Sequence, residues 1–260
     1  MPIYCIANQK GGVGKTTTAA ALAQGLSEHR KKVLLVDWDP QGSLTITMGF
    51  NTDNLGQTVN DALMGTIHNN GRPSVADVIL TTGNPNIDLV PANIELSQAQ
   101  LDLVGAGARE SVLRHMLRPV ADRYDYVLID CLPSLGLLTI NALAAADKII
   151  IPLQADFLAM KGLALLLTTI IHVQDRVNPG LEISGILFTM TSRTLHSREV
   201  IEVTKRAFGD RIRVFDTTIP TSVRFKEAPA AGMSILEYAP KSDGAEAYRL
   251  LTEEVLHEKS

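Results

Sequence analysis

The chain alternates between two hydrophobic rhythms. Short, nearly continuous aliphatic and β-branched runs occur at Ile3–Ala7, Val33–Val36, Tyr126–Ile129, Ile149–Leu153 and Ile183–Phe188. Runs of that length and make-up predict strands covered on both faces. Between them, apolar residues recur at helical spacing over Thr16–Ser27, Glu95–Leu103, Glu110–Ala121, Thr139–Ala145, Leu158–Gln174 and Arg198–Phe208. A last helix is predicted from about Gly244 to Leu256. Strand and helix in repeated alternation predict an α/β fold, a mostly parallel twisted sheet flanked by helices on both faces. Residues 51–86 break the rhythm, being rich in Asn, Gly, Thr and Asp. They are expected to form a surface excursion with one or two short helices inside a single domain spanning 1–260.

Composition narrows the class. A chain of 260 residues with 45% hydrophobic and 20% charged residues has enough apolar material for a sizeable core. The longest uncharged run, 131–146, is interrupted by Pro133 and Asn141 and is too short to span a bilayer. Two cysteines, Cys5 and Cys131, exclude a disulfide scaffold and a four-cysteine metal site within one chain. No signal-like leader opens the sequence, so a reduced, cytoplasmic setting is expected. The six histidines have no metal-ligand spacing.

The strongest chemical signal is Gln9-Lys10-Gly11-Gly12-Val13-Gly14-Lys15-Thr16-Thr17. It follows a predicted strand and opens a predicted helix, the setting a phosphate-binding loop requires. Glycines let backbone N–H groups close around phosphate oxygens, and the helix start aims further N–H groups at the same anion. Lys15 is expected on the β/γ phosphates, Thr16 on a magnesium ion and Thr17 on an inner phosphate. Gln9 stands where the strict loop pattern has its first glycine. Lys10 lies on the far shoulder of the loop, badly placed for its own phosphates. It is either a solvated surface lysine or a group that reaches the nucleotide of a facing subunit.

Two further strands end in carboxylates, at Asp37-Trp38-Asp39-Pro40-Gln41-Gly42 and at Asp130-Cys131-Leu132-Pro133-Ser134. In an open parallel sheet, ligands bind at the carboxyl ends of strands, so these segments can meet the loop. Asp130 is the candidate to hold magnesium through water. Asp39 is the candidate to orient the water that attacks the γ-phosphate, with metal-bound water within its reach. Asp37 is expected to accept loop N–H groups, or to be a weak metal neighbour. Trp38 is expected to pack inside or at an interface.

These motifs resemble the ParA/Soj proteins, of the ParA–MinD class of deviant-Walker P-loop ATPases. The resemblance continues through Ile219-Pro220, Glu227-Ala228-Pro229 and Gly244-Ala245-Glu246-Ala247-Tyr248. It implies ATP and Mg²⁺ as cofactors, an ATP-sandwiched homodimer, non-specific DNA binding, and slow hydrolysis stimulated by a ParB-like or McdB-like adaptor. It makes Lys10 the signature lysine, catalytic alongside Lys15 and Asp39, and puts Pro220 near the adenine or ribose. Leu132 stands where the family commonly has a second proline, and Thr221 where it often has arginine. The short type, without an N-terminal DNA-binding extension, is the better match.

Charge fits a confined DNA footprint. The chain carries a net charge of −4, yet Met190–Lys226 holds eight basic and four acidic residues. The resemblance singles out Arg193 and Arg224 as DNA contacts, with Arg198 and Lys226 next. A plain solvated helix face is the competing reading, since Arg198–Glu202 and Glu202–Arg206 are i,i+4 pairs. The expected location is the nucleoid. Two other functions fit the loop: a MinD-like membrane ATPase, opposed by the acidic C-terminal segment, and a metabolic enzyme such as an amide-forming ligase.

Overall fold

The aliphatic runs are strands because they are sheltered on both sides, as the burial of all six residues from Val33 to Trp38 illustrates. The computed structural model describes residues 1–68, 73–156, 159–192, 194–209 and 211–258. Among these, β1 (Ile3–Ile6), β2 (Val33–Trp38), β3 (Leu80–Thr81), β4 (Ile87–Val90), β5 (Tyr126–Cys131), β6 (Lys148–Gln154), β7 (Glu182–Thr191) and β8 (Val214–Pro220) form one sheet. Their spatial order is β3-β4-β2-β5-β1-β6-β7-β8. Only the β3–β4 pairing is antiparallel.

Strand parity sorts the core into two layers. On β1, Cys5 packs with one layer while Tyr4 and Ile6 pack with the other. The first layer holds α3 (Val59–His68), α4 (Val75–Val78), α5 (Leu96–Gly105), α6 (Val112–Ala121), α7 (Leu137–Ala145) and α8 (Ala159–Arg176). The second holds α1 (Lys15–Glu28), α11 (Ile235–Tyr238) and α12 (Asp243–Leu256). Val33 and Leu35 belong to the α1 layer, and so does Leu128. Two residues further along each strand, the same parity turns Asp37 and Asp130 to the α1 side. They are direct register partners on β2 and β5.

Helix α1 is built for close approach. Ala19, Ala20, Ala21 and Ala23 are all buried in the second layer. On its outer side it packs on α12, where a Cβ at Gly25 would run into Thr252 Oγ1 and lie 3.1 Å from Thr252 Cβ. Gly25→Ala is therefore expected to destabilise the fold despite alanine's helix preference. Overpacking costs about 1–3 kcal/mol and the propensity gain returns about 1. A thermal or urea melt checks this, and a Thr252→Ala change in the same chain should recover part of the loss.

Several elements differ from the sequence-based expectation. Residues 51–86 are no mere surface excursion: Val59, Ala62, Leu63, Val75 and Val78 are buried in the first layer. The short helices expected there are present as α3 and α4, and what the polar composition between them hid is the burial of their apolar faces. The strands β4 and β8 and the helices α2 (Ser43–Thr47) and α10 (Arg224–Ala230) were not anticipated. β8 is an edge strand with polar Asp216, Thr217 and Thr218, unlike a doubly covered run. The helix expected from Leu158 is seen as α8 from Ala159, Leu158 itself lying outside the described residues. The helix expected from Arg198 begins earlier, as α9 (Leu195–Phe208), capped by Thr194. Trp38 is fully buried and donates Nε1–H to the Leu138 carbonyl at 2.8 Å, which selects packing over interface. Among the described residues no helix is long and apolar enough to cross a membrane.

Candidate nucleotide site

The central strand β1 delivers the glycine-rich loop to the carboxyl edge of the sheet. Asn8 anchors the turn: its Nδ2 donates to the Pro152 carbonyl and its Oδ1 accepts the Lys10 N–H. Gly12 (φ 72°) and Gly14 (φ 86°) hold left-handed conformations that a side chain would strain. The chain then enters α1 at Lys15, with the helix's unpaired N–H groups facing the loop. Lys15 is only 7% exposed, and its Nζ donates to the Lys10 carbonyl at 3.1 Å. Burial pushes its pKa down, while the nearby Asp130 carboxylate acts to raise it.

Three carboxylates stand beside this loop in different states. Asp37 is fully buried, and Thr45 N–H, Thr45 Oγ1–H and Asp39 N–H all donate to it. It is thus a structural acceptor, and burial raises its pKa to about 6. Asp130 is also fully buried, and burial together with the adjacent Asp37 pushes its pKa well up. Thr16 Oγ1 donates to Asp130 Oδ2 at 2.6 Å, whereas Asp130 Oδ1 has no hydrogen-bond partner. Asp39 is half-buried at the loop's mouth, its Oδ1 fixed by the Gln41 N–H at 2.9 Å.

A cleft of ≈ 660 Å³ opens over these groups. Gly11, Gly12, Gly14, Lys15, Thr16, Thr17 and Asp39 line one wall, and Ser43, Ile46, Thr47, Pro133, Met190, Thr221, Ser222, Phe225, Lys226 and Pro229 contribute the rest. Val13 is buried behind the loop. Pro220 lines an adjoining hollow with Arg224, Lys241 and Asp243. A larger cleft of ≈ 860 Å³ lies elsewhere, where Lys148 and Arg213 are already paired with Glu254 and Glu258. It has no glycine loop, so the smaller cleft is the candidate site.

The donor set fits a magnesium nucleotide. Among the described residues no cluster of three or more His, Cys, Asp or Glu could hold a metal alone. Mg²⁺ typically takes one or two protein oxygens and completes its shell with water and phosphate. The Thr16 hydroxyl can supply one such oxygen, and the orphaned Asp130 Oδ1 behind it can accept from a metal-bound water.

Of the remaining candidates among the described residues, only Lys226 reaches this cleft. Lys10 is not among its lining residues; its Nζ donates to Gln154 Oε1 at 2.9 Å and pairs with Asp156 at 3.2 Å. Arg198 is exposed on α9. Arg224 and Lys226 sit on α10, where Lys226 lines the nucleotide cleft itself. Arg193 lies outside the described residues. Sequence reasoning missed Met190, Ser222 and Phe225 as cleft residues; the nearby Ile219-Pro220 was the only signal for them.

Comparison with known proteins agrees with this geometry. Residues 1–183 match the protein family described as an AAA domain. The sporulation initiation inhibitor protein Soj of Bacillus subtilis is 45% identical over 254 residues, which is 97% of each chain. A Mycobacterium smegmatis structure described as cobyrinic acid a,c-diamide synthase, with bound ADP and magnesium, superposes with a TM-score of 0.83. It is 37% identical and covers 98% of this chain and 94% of its own. The ATP complex of a Cyanothece McdA variant gives a TM-score of 0.86 at 27% identity, covering 100% of this chain and 98% of its own. The glycine loop with its second lysine, the paired strand-end carboxylates and full-length similarity to Soj place this chain in the AAA-domain family and, within it, among the ParA/Soj-type P-loop ATPases.

Proposed function

We propose that this chain is an ATP-driven partitioning or positioning protein. In this reading two copies sandwich ATP, the dimer grips DNA without sequence preference, and a cargo-bound adaptor triggers hydrolysis and release. The adaptor is ParB-like for a chromosome or plasmid cargo, or McdB-like for a protein assembly, and the protein works on the nucleoid in the cytoplasm. The observation that carries the reading is the pair of loop lysines on opposite sides. Lys15 points into the cleft region, whereas Lys10 is turned away toward Gln154 and Asp156. In this reading Lys10 leaves those partners to serve a phosphate that arrives on a facing subunit.

Backbone N–H groups of Lys10 to Thr17 cradle the phosphates, and Lys15 supplies a point charge to them. Thr16 and Asp130 hold magnesium, Asp130 through water, with Asp39 within reach of a metal-bound water. When bound, the ion neutralises charge on the β- and γ-phosphate oxygens. Asp39 orients the attacking water. Pro220 borders the adenosine, Arg198, Arg224 and Lys226 contact DNA phosphates, and the resemblance adds Arg193 to them. Because Lys226 lines the cleft, a DNA contact by it would depend on whether the cleft is occupied.

One experiment tests the reading. Light scattering with ATP–Mg²⁺ should give a dimer for the wild type and a monomer for Lys10→Ala. Gel shifts should then require ATP, fail with ADP, and weaken steeply with salt, as counterion release demands. A Lys10→Ala chain that still dimerises with ATP, or DNA binding indifferent to nucleotide, refutes it. The description of the M. smegmatis relative favours one competitor, an amide-forming synthase. ATPase activity raised by a small carboxylic acid rather than by DNA with an adaptor would select that one.

A further inference from the structure

Val13 lies between two glycines of left-handed backbone, Gly12 and Gly14. Its side chain is fully buried, so it anchors the loop from behind. Glycine peptides are easy to rotate, and nothing in a glycine loop itself fixes which way each N–H points. Here a residue far along the chain does so. Thr189, the last buried residue of β7, is 2% exposed and donates its hydroxyl to the Val13 carbonyl at 2.9 Å. Its methyl carbon lies 3.9 Å from where a Cβ on Gly14 would stand.

A trans peptide is planar, with its C=O and N–H pointing in opposite directions. Drawing the Val13 carbonyl toward β7 therefore turns the Gly14 N–H the other way, and Gly14 lines the cleft. The end of β7 is itself held firmly. Met190 takes a left-handed φ of 52°, unusual for a side-chain residue, and lines the cleft beside the loop. Thr191 donates its hydroxyl to the Ile219 carbonyl and accepts the Thr221 N–H. The strand end is thus tied to β8 on one side and to the phosphate loop on the other.

The geometry points to Thr189 as a positioning residue for the phosphate: its hydroxyl presets the Gly14 amide in the orientation that receives an anionic oxygen. This rests on the nucleotide reading of the cleft and is independent of dimerisation and DNA. Removing the hydroxyl frees the Val13–Gly14 peptide to rotate, and the loop must then be reordered by each incoming phosphate.

Calorimetric titration with ADP and Mg²⁺ tests it. Thr189→Val keeps the shape and removes the donor, and is expected to weaken ADP by about tenfold. Thr189→Ser keeps the donor and should stay within about twofold of wild type. If Thr189→Val does not fold, Thr189→Ser against Thr189→Ala isolates the hydroxyl at matched loss of the methyl. Wild-type ADP affinity in Thr189→Val or Thr189→Ala, or a loss in Thr189→Ser as large as in the others, overturns the role. A wild-type chain that does not bind ADP–Mg²⁺ overturns the nucleotide reading and this role together.

Discussion

Lys15→Ala is expected to abolish binding of ATP–Mg²⁺ while leaving the fold intact. The ammonium lies at the first turn of α1, 7% exposed, on the Lys10 carbonyl inside the loop. It is the charge that offsets Asp39 and the buried Asp130 when a polyanion enters. Each hydrogen bond to a charged group contributes roughly 1.5–3 kcal/mol, so loss of contacts to two phosphates amounts to a hundredfold or more. The alanine also leaves the carboxylates facing the phosphates unscreened, which adds like-charge repulsion. Stability should change little, because burying the lysine already opposes its charge. Calorimetry with ATP–Mg²⁺, alongside a melt of the free chain, separates the two effects. Binding within tenfold of wild type would remove Lys15 from the phosphate site.

The parts of this site that were legible in the sequence are those that a contiguous stretch must supply. Gly11 to Thr17 had to be read together, since a phosphate cradle needs successive N–H groups from one loop. Asp37 and Asp130 were legible because each ends an unbroken hydrophobic run, and strand parity then sends both to the α1 side. The far wall of the cleft is another matter. Met190, Thr221 and Phe225 come from the ends of β7 and β8 and from α10, elements more than a hundred residues from the loop. β8 pairs on one side only, and its Asp216-Thr217-Thr218 stretch erases the hydrophobic run that marks a central strand. The hydrogen bond from Thr189 to Val13 has no sequence signature, because a threonine near the end of a strand is ordinary. The burial of Val59, Leu63 and Val78 was hidden for a similar reason: each short helix offers one or two apolar turns set among Asn, Gly and Thr.

Asp39→Ala is expected to separate binding from hydrolysis. Three carboxylates crowd the strand ends, but they cannot share one task. Asp37 has its oxygens taken by Thr45 and the Asp39 N–H, and Asp130 is fully enclosed behind Thr16. Asp39 alone of the three lines the cleft, held by the Gln41 N–H on one oxygen and by the Gly42 N–H on its backbone carbonyl. A carboxylate fixed in that way can orient a water molecule without being consumed in holding the fold. Loss of a positioned proton acceptor typically lowers a rate by about 10²–10⁴-fold. ATP affinity should hold or rise, since a negative charge near the phosphates is removed. The variant should therefore accumulate in the ATP-bound form, and single-turnover phosphate release measured beside ATP affinity reads both quantities. Asp39→Asn sharpens the test: it keeps the hydrogen-bonding shape, so recovery of the rate would mean that orientation suffices, and no recovery would mean that the charge is needed. If affinity and rate fall together in Asp39→Ala, Asp39 holds the ligand and the water must be oriented by another group.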